Sequence, residues 1–147
     1  MKQPVFVIPE AMTALRALGT SIEDCGIPKA TMALVHMRAS QINRCAVCLD
    51  LHTKPEFFAK DTDARNITVA AWREAPYFTD AERAALALTE AVTRIADRAD
   101  PVPDEVWAEA ARHYDERQLA ALLIMIASVN VWNRLNVATR QIAGGKW

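Results

Sequence analysis

The chain has too few cysteines to be held together by a disulfide framework, since it contains three among 147 residues. Small secreted proteins without a large core usually carry cysteine at a higher density. Aromatic residues make up 7% of the chain and glycine occurs four times, whereas hydrophobic residues reach 52%. A chain of this length and composition can bury a substantial core, so we expect one domain over residues 1–147.

An excess of charge of one sign is also missing. The formal net charge is −1, and no cluster of lysine and arginine is dense enough to follow nucleic-acid phosphates. The first apolar run, over residues 4–9, is too short for a signal peptide. The longest run, Leu119 to Val129, is interrupted by Ser128 and is too short to span a bilayer. We therefore expect a cytoplasmic protein with neither nucleic acid nor membrane as a partner.

Strand-like alternation of apolar and polar residues is absent, and the apolar residues recur instead at helical spacing. Proline and glycine divide the chain into about six to seven predicted helices. Thr79 and Glu82 have the spacing of a capping box, and Asn43 is a candidate cap for the third helix. The last helix is predicted from about Asp115 to Ile142, ended by Gly144-Gly145. This pattern predicts an all-α helical bundle.

Two cysteines and a histidine form the motif with the clearest chemistry. Cys45 and Cys48 are three residues apart at a predicted helix start, and His52 follows one turn later. Positions i, i+3 and i+7 share one helix face, so the two thiols are expected within disulfide reach, with an imidazole nearby. A thiolate is the reactive form of cysteine, and helix N-terminal amides and a base favour it. The motif therefore indicates thiol-based redox chemistry.

Three other interpretations of the motif were weighed against this one. The cysteines could simply be small core residues, because free cysteine is often buried. Cys45, Cys48 and His52 could bind zinc, but the fourth ligand would have to be Cys25 or His113, each isolated in the sequence. A thioredoxin-like motif would follow a strand, and here both flanks are helical. We therefore predict no metal and no cofactor.

The remaining polar residues give a weaker indication of function. His36, beside Arg38, is interpreted as a solvated or interface histidine. Asn130, Asn133 and Asn136 lie in an otherwise apolar helix, where buried amides need partners. The sequence leaves open whether these amides bond across an interface or to the segment with the two cysteines.

One stretch of the chain consists of Ser40-Gln41-Ile42-Asn43, followed by Cys45, Cys48 and His52. It resembles the core motif of the alkylhydroperoxidase D-like proteins, which belong to the carboxymuconolactone decarboxylase superfamily. The similarity extends over residues 34–54, 71–86, 102–106 and 130–136, and we place the motif-bearing core at about residues 28–60. The resemblance implies an all-α homotrimer or homohexamer. It also implies an antioxidant (alkyl) hydroperoxide reductase whose redox-active dithiol is restored by an external thiol or dithiol reductant.

The resemblance also assigns roles to the motif. Cys48 matches the peroxidatic thiol, Cys45 the resolving thiol, and His52 the histidine that relays a proton. Two positions depart from the family pattern: Ala33 stands where a relay glutamate is usual, and Arg44 where glycine is usual. The cation of Arg44 could favour a thiolate or crowd the entrance to the site.

The segment after His52 departs as well. Pro55 is expected to distort the helix, Phe57-Phe58 to reshape the pocket, and Glu56 is a possible substitute for the missing glutamate. The alternative function is therefore a non-redox member that binds a small ligand or performs decarboxylase-like acid–base chemistry through His52. A slow redox sensor is a third interpretation.

Overall fold

The structure is a computed structural model that describes residues 1–54 and 63–145. Within these ranges all regular structure is helical, which confirms the predicted all-α fold. The predicted effects of Pro55, Glu56 and Phe57-Phe58 lie outside the described residues. The α-helices are α1 (Pro9–Thr20), α2 (Lys29–Ile42), α3 (Ala46–Leu51), α4 (Asp63–Thr68), α5 (Asp80–Thr93), α6 (Asp104–His113) and α7 (Glu116–Ala138).

The core forms where α2, α5 and α7 pack together. Val35 of α2, Leu88 of α5 and Leu122 and Ile126 of α7 are fully buried in one apolar cluster. Burial of such a side chain stabilises the fold by about 1.5–3 kcal/mol relative to leaving it in water. This packing fixes α2 against α7, and the candidate site lies between their C-terminal halves.

The helix α7 is long and apolar enough to cross a membrane, judged by length and composition alone. The core helix of a soluble protein passes the same test. Here α7 packs against the other helices and turns the buried amides of Asn130, Asn133 and Asn136 inward. Buried amides need hydrogen-bond partners, so their positions constrain the neighbouring side chains.

The helix starts were partly predictable. Thr79 and Glu82 form the predicted capping box at the start of α5. The predicted cap at Asn43 is wrong, because Cys45 is the residue that caps α3 and its Sγ accepts a hydrogen bond from the Cys48 backbone N–H at 3.3 Å. The amide of Asn43 bonds to Asn130 and Asn133 instead.

The predicted end of the last helix is also wrong, since α7 stops at Ala138 and not near Ile142. Arg140 adopts the left-handed conformation with φ of 53°. Its N–H donates to the Val137 carbonyl at 3.1 Å, and the Gln141 N–H donates to the Asn136 carbonyl at 3.0 Å. These two bonds form a Schellman motif, which usually places glycine in the left-handed position.

The helix α2 ends in the same way. Arg44 has φ of 57°, its N–H donates to the Gln41 carbonyl at 3.2 Å, and the Cys45 N–H donates to the Ser40 carbonyl at 2.9 Å. An arginine again occupies the position where glycine is favoured. The turn delivers Cys45 directly from the end of α2 to the cap of α3.

A buried carboxylate ties α2 to α5 on the far side of the core. Glu90 accepts hydrogen bonds from Arg38 at 2.8 Å, Trp72 at 2.9 Å and Arg73 at 2.9 Å. Burial opposes ionisation of Glu90, but these three donors outweigh burial and lower the pKa of its carboxyl group below the usual value. Glu90 is therefore a charged anchor that holds α2 in position.

Candidate active site

The two motif cysteines form a disulfide bond, as their spacing predicted. Their Cα atoms are 5.3 Å apart, and each residue is 1% exposed. Cys45 lies just before α3 as its cap, and Cys48 lies in the first turn of that helix. Cys25 is a free thiol whose Sγ lies 3.9 Å from the Ser21 carbonyl oxygen.

Two side-chain amides of α7 point at the disulfide. Asn133 Nδ2 lies 3.1 Å from Cys48 Sγ, and Asn136 Nδ2 lies 3.4 Å from the same sulfur and 3.8 Å from Cys45 Sγ. The sequence left the partners of these asparagines open, and the structure places them at the cysteine pair. Hydrogen-bond donors around a sulfur favour its thiolate, so the amides act mainly on Cys48.

A polar network orients the nearer amide. Asn133 Nδ2 also bonds to Ser40 Oγ at 3.0 Å, while its Oδ1 accepts from Asn43 Nδ2 at 2.9 Å. Asn43 Nδ2 also donates to Asn130 Oδ1 at 2.9 Å, and Arg134 donates to that oxygen at 2.7 Å. Because the oxygen of Asn133 is bound by Asn43, the NH₂ group must face the sulfur. The network thus fixes a donor beside Cys48.

His36 is the site residue that the sequence interpretation placed wrongly. It is 9% exposed, and its Nδ1 lies 2.7 Å from Nε2 of His52, with the ring centroids 4.8 Å apart. The histidine is therefore buried against the motif and is not solvated. A sequence signal existed: His36, Ser40 and Asn43 are spaced i, i+4 and i+7, so they share the face of α2 that meets the motif.

Both rings are neutral at neutral pH. Burial, and to a smaller extent the neighbouring His52, lowers the pKa of His36 to about 3. Burial also lowers the pKa of His52 to about 4. In the 2.7 Å contact one ring nitrogen donates its proton and the other accepts it. Because burial disfavours the charged form of both rings, an imidazolium ion at this position is costly and short-lived.

Position 33, where the resemblance expects a glutamate, is an alanine, and a histidine on the same helix lies nearby. Ala33 is half-buried on α2, and His36 lies one turn further along the same helix. His36 is the α2 side chain that hydrogen bonds to His52. An imidazole therefore contacts His52 from the helix on which the resemblance expects a carboxylate.

A cavity of about 440 Å³ opens beside Cys48. The N-terminal turn covers one side of it through Val5 and Phe6, and Trp132 of α7 forms another side. Within the described residues its lining includes His36 but not His52. The full lining is Gln3, Val5, Phe6, Met12, Arg16, His36, Val47, Cys48, Leu51, Trp132 and Asn136. A mostly apolar wall with a few polar groups at the reactive sulfur suits a small organic molecule.

A second cavity of about 200 Å³ lies beside the other sulfur. Its lining includes Cys45, Arg44 and Arg140, together with Ala46, Val47, Asn136, Val137 and Gln141. In the described part of the chain, Cys48 borders the first cavity, Cys45 borders the second, and neither borders both. The two cysteines therefore line different cavities.

The zinc alternative has no geometric support in residues 1–54 and 63–145, where no group of three or more suitable side chains could hold a metal ion. Of the two residues considered for a fourth ligand, His113 bonds to Glu109 at 3.1 Å and Cys25 contacts Ser21. Both therefore have other partners.

Comparison with known proteins adds the family context. The model of the carboxymuconolactone decarboxylase family matches residues 9–91. The uncharacterized protein YdfG of Bacillus subtilis is 34% identical over 140 residues, covering 95% of this chain and 94% of that protein. The uncharacterized protein YnjA of Escherichia coli is 30% identical over 106 residues, covering 72% and 57%.

Solved structures share the fold. An Agrobacterium tumefaciens protein of unknown function, described as a candidate antioxidant defence protein AhpD, superposes with a TM-score of 0.87. It is 30% identical, and the match covers 98% of this chain and 97% of that one. The debrominase Bmp8 superposes with a TM-score of 0.79 at 21% identity, covering 96% and 75%. At that identity the likeness to Bmp8 concerns the fold alone.

Proposed function

Because this chain belongs to the carboxymuconolactone decarboxylase family, we propose that it is a thiol-dependent reductase of organic hydroperoxides, which acts in antioxidant defence. One observation carries the proposal: Cys48 lines a mostly apolar cavity, and its Sγ receives two amide donors and is joined by a disulfide to Cys45. The description of the Agrobacterium tumefaciens structure as a candidate antioxidant protein points in the same direction.

The chemistry begins from the reduced protein. The Cys48 thiolate attacks the terminal oxygen of the hydroperoxide, the O–O bond breaks, and the alkoxide takes up a proton and leaves as an alcohol. Cys48 is then a sulfenic acid. The Cys45 thiolate attacks its sulfur, hydroxide leaves and is protonated to water, and the disulfide forms. Two external thiols, or one dithiol, supply the two electrons that restore the protein dithiol and are themselves oxidised to a disulfide.

His36 and His52 handle the protons in this scheme. A free thiol has a pKa of about 8.5 and is mostly protonated at neutral pH. Because burial lowers the pKa of both rings, which lie 2.7 Å apart, they pass the proton that Cys48 releases on to the leaving alkoxide without holding it. His36 borders the same cavity as Cys48, so we propose it as the nearer proton carrier and His52 as its partner.

The cavity favours an organic substrate. Apolar surface beside Cys48 comes from Val5, Phe6 and Trp132. Hydrogen peroxide has no apolar group that can bind to this surface. A hydroperoxide with an alkyl or aryl group can bury that group there, and each buried CH₂ contributes about 0.8 kcal/mol. We therefore expect a higher kcat/KM for cumene hydroperoxide than for hydrogen peroxide.

Peroxide consumption with dithiothreitol as reductant tests the function. We expect turnover in the wild type and in Cys25→Ser, and loss of turnover in Cys48→Ser and Cys45→Ser. The acid–base alternative is favoured by the neutral imidazole of His36 at the cavity, with His52 hydrogen-bonded to it, and it predicts that no cysteine substitution removes the activity. Absence of peroxide turnover in the reduced wild type would refute the proposed function.

We also propose that the protein assembles as a homotrimer or homohexamer. The helix α1 supports this, because it is amphipathic and yet has no buried residue in the isolated chain. Its apolar positions, Met12, Leu15 and Leu18, would gain burial at a subunit interface. Light scattering coupled to size-exclusion chromatography decides this, and a stable monomer at micromolar concentration would refute it.

A further inference from the structure

The cavity at Cys45 is lined by two positively charged residues, Arg44 and Arg140, which the reaction of Cys48 with a hydroperoxide does not require. We propose that it binds the acidic group of the thiol that reduces the disulfide, so that the reductant is a thiol carrying a carboxylate or phosphate. The inference rests on the proposed thiol chemistry of Cys45 and Cys48. It adds a second substrate class and a second binding site to that chemistry.

The fold brings two arginines to this cavity by the same device. Arg44 ends α2 and Arg140 ends α7, each in the left-handed position of a Schellman motif, with φ of 57° and 53°. Glycine is the residue that fits this backbone without strain, and a non-glycine residue there is an outlier that invites a functional explanation. The two strained residues border one cavity, although they are 96 positions apart in the sequence.

The charges of these arginines are available to a ligand. Both side chains are exposed, and neither forms an ion pair within the part of the chain that the structure describes. Guanidinium groups match carboxylate and phosphate oxygens in bidentate geometry. A cavity of about 200 Å³ with two such groups and a sulfur on its wall can hold a small anionic thiol.

The position of the cavity also selects the sulfur that is attacked. A thiolate attacks a disulfide sulfur and expels the other, and access decides which sulfur reacts. From this cavity the reductant reaches Cys45 Sγ, the Cys45–Cys48 bond breaks, and Cys48 leaves as a thiolate. The leaving thiolate is received by the amides of Asn133 and Asn136 at 3.1 Å and 3.4 Å.

The second half of the reduction regenerates the free dithiol. A second reductant thiolate attacks the reductant sulfur of the mixed disulfide, which releases Cys45 as a thiolate. The two reductant thiols become one disulfide, and the protein gains two electrons. The protein thiolates then take up protons according to their pKa values.

A purely structural explanation exists for the arginines, because a cation near a helix C-terminus interacts favourably with the helix dipole. That explanation requires no discrimination between reductants. The two accounts therefore differ in one measurable quantity, the dependence of the reduction rate on the charge of the thiol.

The experiment measures the rate of reduction of the Cys45–Cys48 disulfide by 3-mercaptopropionate, 2-mercaptoethanol and cysteamine, which are anionic, neutral and cationic. Rates are expressed per thiolate and divided by the rate of the same thiol with a small uncharged disulfide, which removes differences in protonation and in intrinsic nucleophilicity. We expect the anionic thiol to react about 10-fold faster than the neutral one, since clefts of one charge concentrate ligands of the other. The cationic thiol should be the slowest.

The variants are Arg44→Gly and Arg140→Gly, which place the favoured residue in the left-handed position and so should not endanger folding. Each should reduce the preference for the anionic thiol, and the double variant should abolish it. Arg44→Lys should keep part of the preference. Arg117→Gln removes an exposed cation elsewhere and is the matched control for net charge. It should leave the preference for the anionic thiol unchanged.

Equal rates for the three thiols in the wild type, or an anion preference that survives in the double glycine variant, would overturn this proposal. The assay contains no hydroperoxide, so its result does not depend on the peroxidase activity. A protein that fails to consume peroxide but keeps the charge preference would refute the proposed function and leave the anionic-thiol site in place.

Discussion

The two sulfur atoms of one disulfide face different surroundings, although their residues are three positions apart. On the Cys48 side lie a larger, mostly apolar cavity whose lining also includes Arg16, a neutral pair of histidines and two amide donors. On the Cys45 side lie a smaller cavity and two unpaired arginines in the described chain. The first cavity offers more apolar surface, and the second brings two guanidinium groups close to its cysteine.

The difference arises from tertiary packing more than from the motif itself. Asn133 and Asn136 belong to the inward face of α7, and they reach Cys48 because α2 and α7 are packed together. Arg44 and Arg140 belong to helix ends, where side chains turn outward to solvent. A symmetric dithiol thus acquires two unequal sulfurs, and the predictions below test that inequality.

The largest expected effect concerns the intrinsic reactivity of each thiol. With Cys45→Ser, the remaining Cys48 should react with one equivalent of cumene hydroperoxide and stay as a sulfenic acid. With Cys48→Ser, the remaining Cys45 should react at least about 10²-fold more slowly, because it lacks the close amide donors and the proton acceptor. Trapping of sulfenic acid, followed by mass spectrometry, measures both rates. Equal rates would remove the distinction between the two sides.

The histidine pair should have the next largest effect. His36→Gln should slow alkylation and peroxide oxidation of Cys48 about 10²-fold near neutral pH, the low end of general base contributions. His52→Gln should have a smaller effect, since His36 borders the cavity. His113→Gln, at the surface end of α6, is the matched control. If His36→Gln reacts like the wild type across the pH range, the histidine is not a proton carrier.

The amide donors should affect both stability and thiol acidity. Asn133→Ala removes the hydrogen bond to Ser40 and one of the two acceptors of Asn43, and we expect a loss of about 1–3 kcal/mol in the free energy of unfolding. It should also raise the pKa of the Cys48 thiol in the reduced protein. Asn130→Ala breaks the same network away from the sulfur, so it should lower stability without changing that pKa. A thiol pKa that moves equally in both variants would argue against direct donation.

The buried rings predict a pH dependence of stability. Their pKa values are lowered from 6.5 to about 3 for His36 and about 4 for His52. Below pH 6.5 the unfolded chain therefore binds protons that the folded chain excludes. The free energy of unfolding should fall as the pH falls from about 6.5 towards about 3, and His36→Gln should flatten part of this decline. Urea unfolding at several pH values measures it, and an unchanged slope in the variant would contradict the account.

The smallest expected effect concerns the backbone at the Cys45 side. A left-handed conformation costs a residue with a side chain about 1–2 kcal/mol relative to glycine. Arg44→Gly should therefore raise the free energy of unfolding by about 1 kcal/mol. This net gain is smaller than the backbone cost because the variant loses the interaction with the helix end and its unfolded chain has a greater entropy. Arg140→Gly should behave similarly. Chemical denaturation decides this, and a clear loss of stability in both variants would show that the arginines stabilise the fold.

Features set by neighbouring residues were predictable from the sequence. The disulfide spacing of Cys45 and Cys48 and the capping box of Thr79 and Glu82 follow from local geometry, and the structure confirms both. The end of α7 was not predicted correctly, because glycine is the usual left-handed residue and Arg140 takes that role four residues before Gly144.

Features set by distant residues were not predictable. His36 and His52 are 16 positions apart, and Asn133 and Cys48 are 85 apart, so their contacts depend on how α2 and α7 pack. The sequence could indicate that the asparagines needed partners, but it could not identify them. It gave a weaker indication for His36, whose position on the inward face of α2 becomes meaningful only once that face is known.

The most direct test of the central claim is oxidation of the reduced protein by one equivalent of cumene hydroperoxide, followed by peptide mapping. The account predicts a loss of two hydrogen atoms confined to the peptide that contains Cys45 and Cys48, with Cys25 still a free thiol. Two unmodified thiols at Cys45 and Cys48, or oxidation that falls on Cys25 instead, would contradict the account.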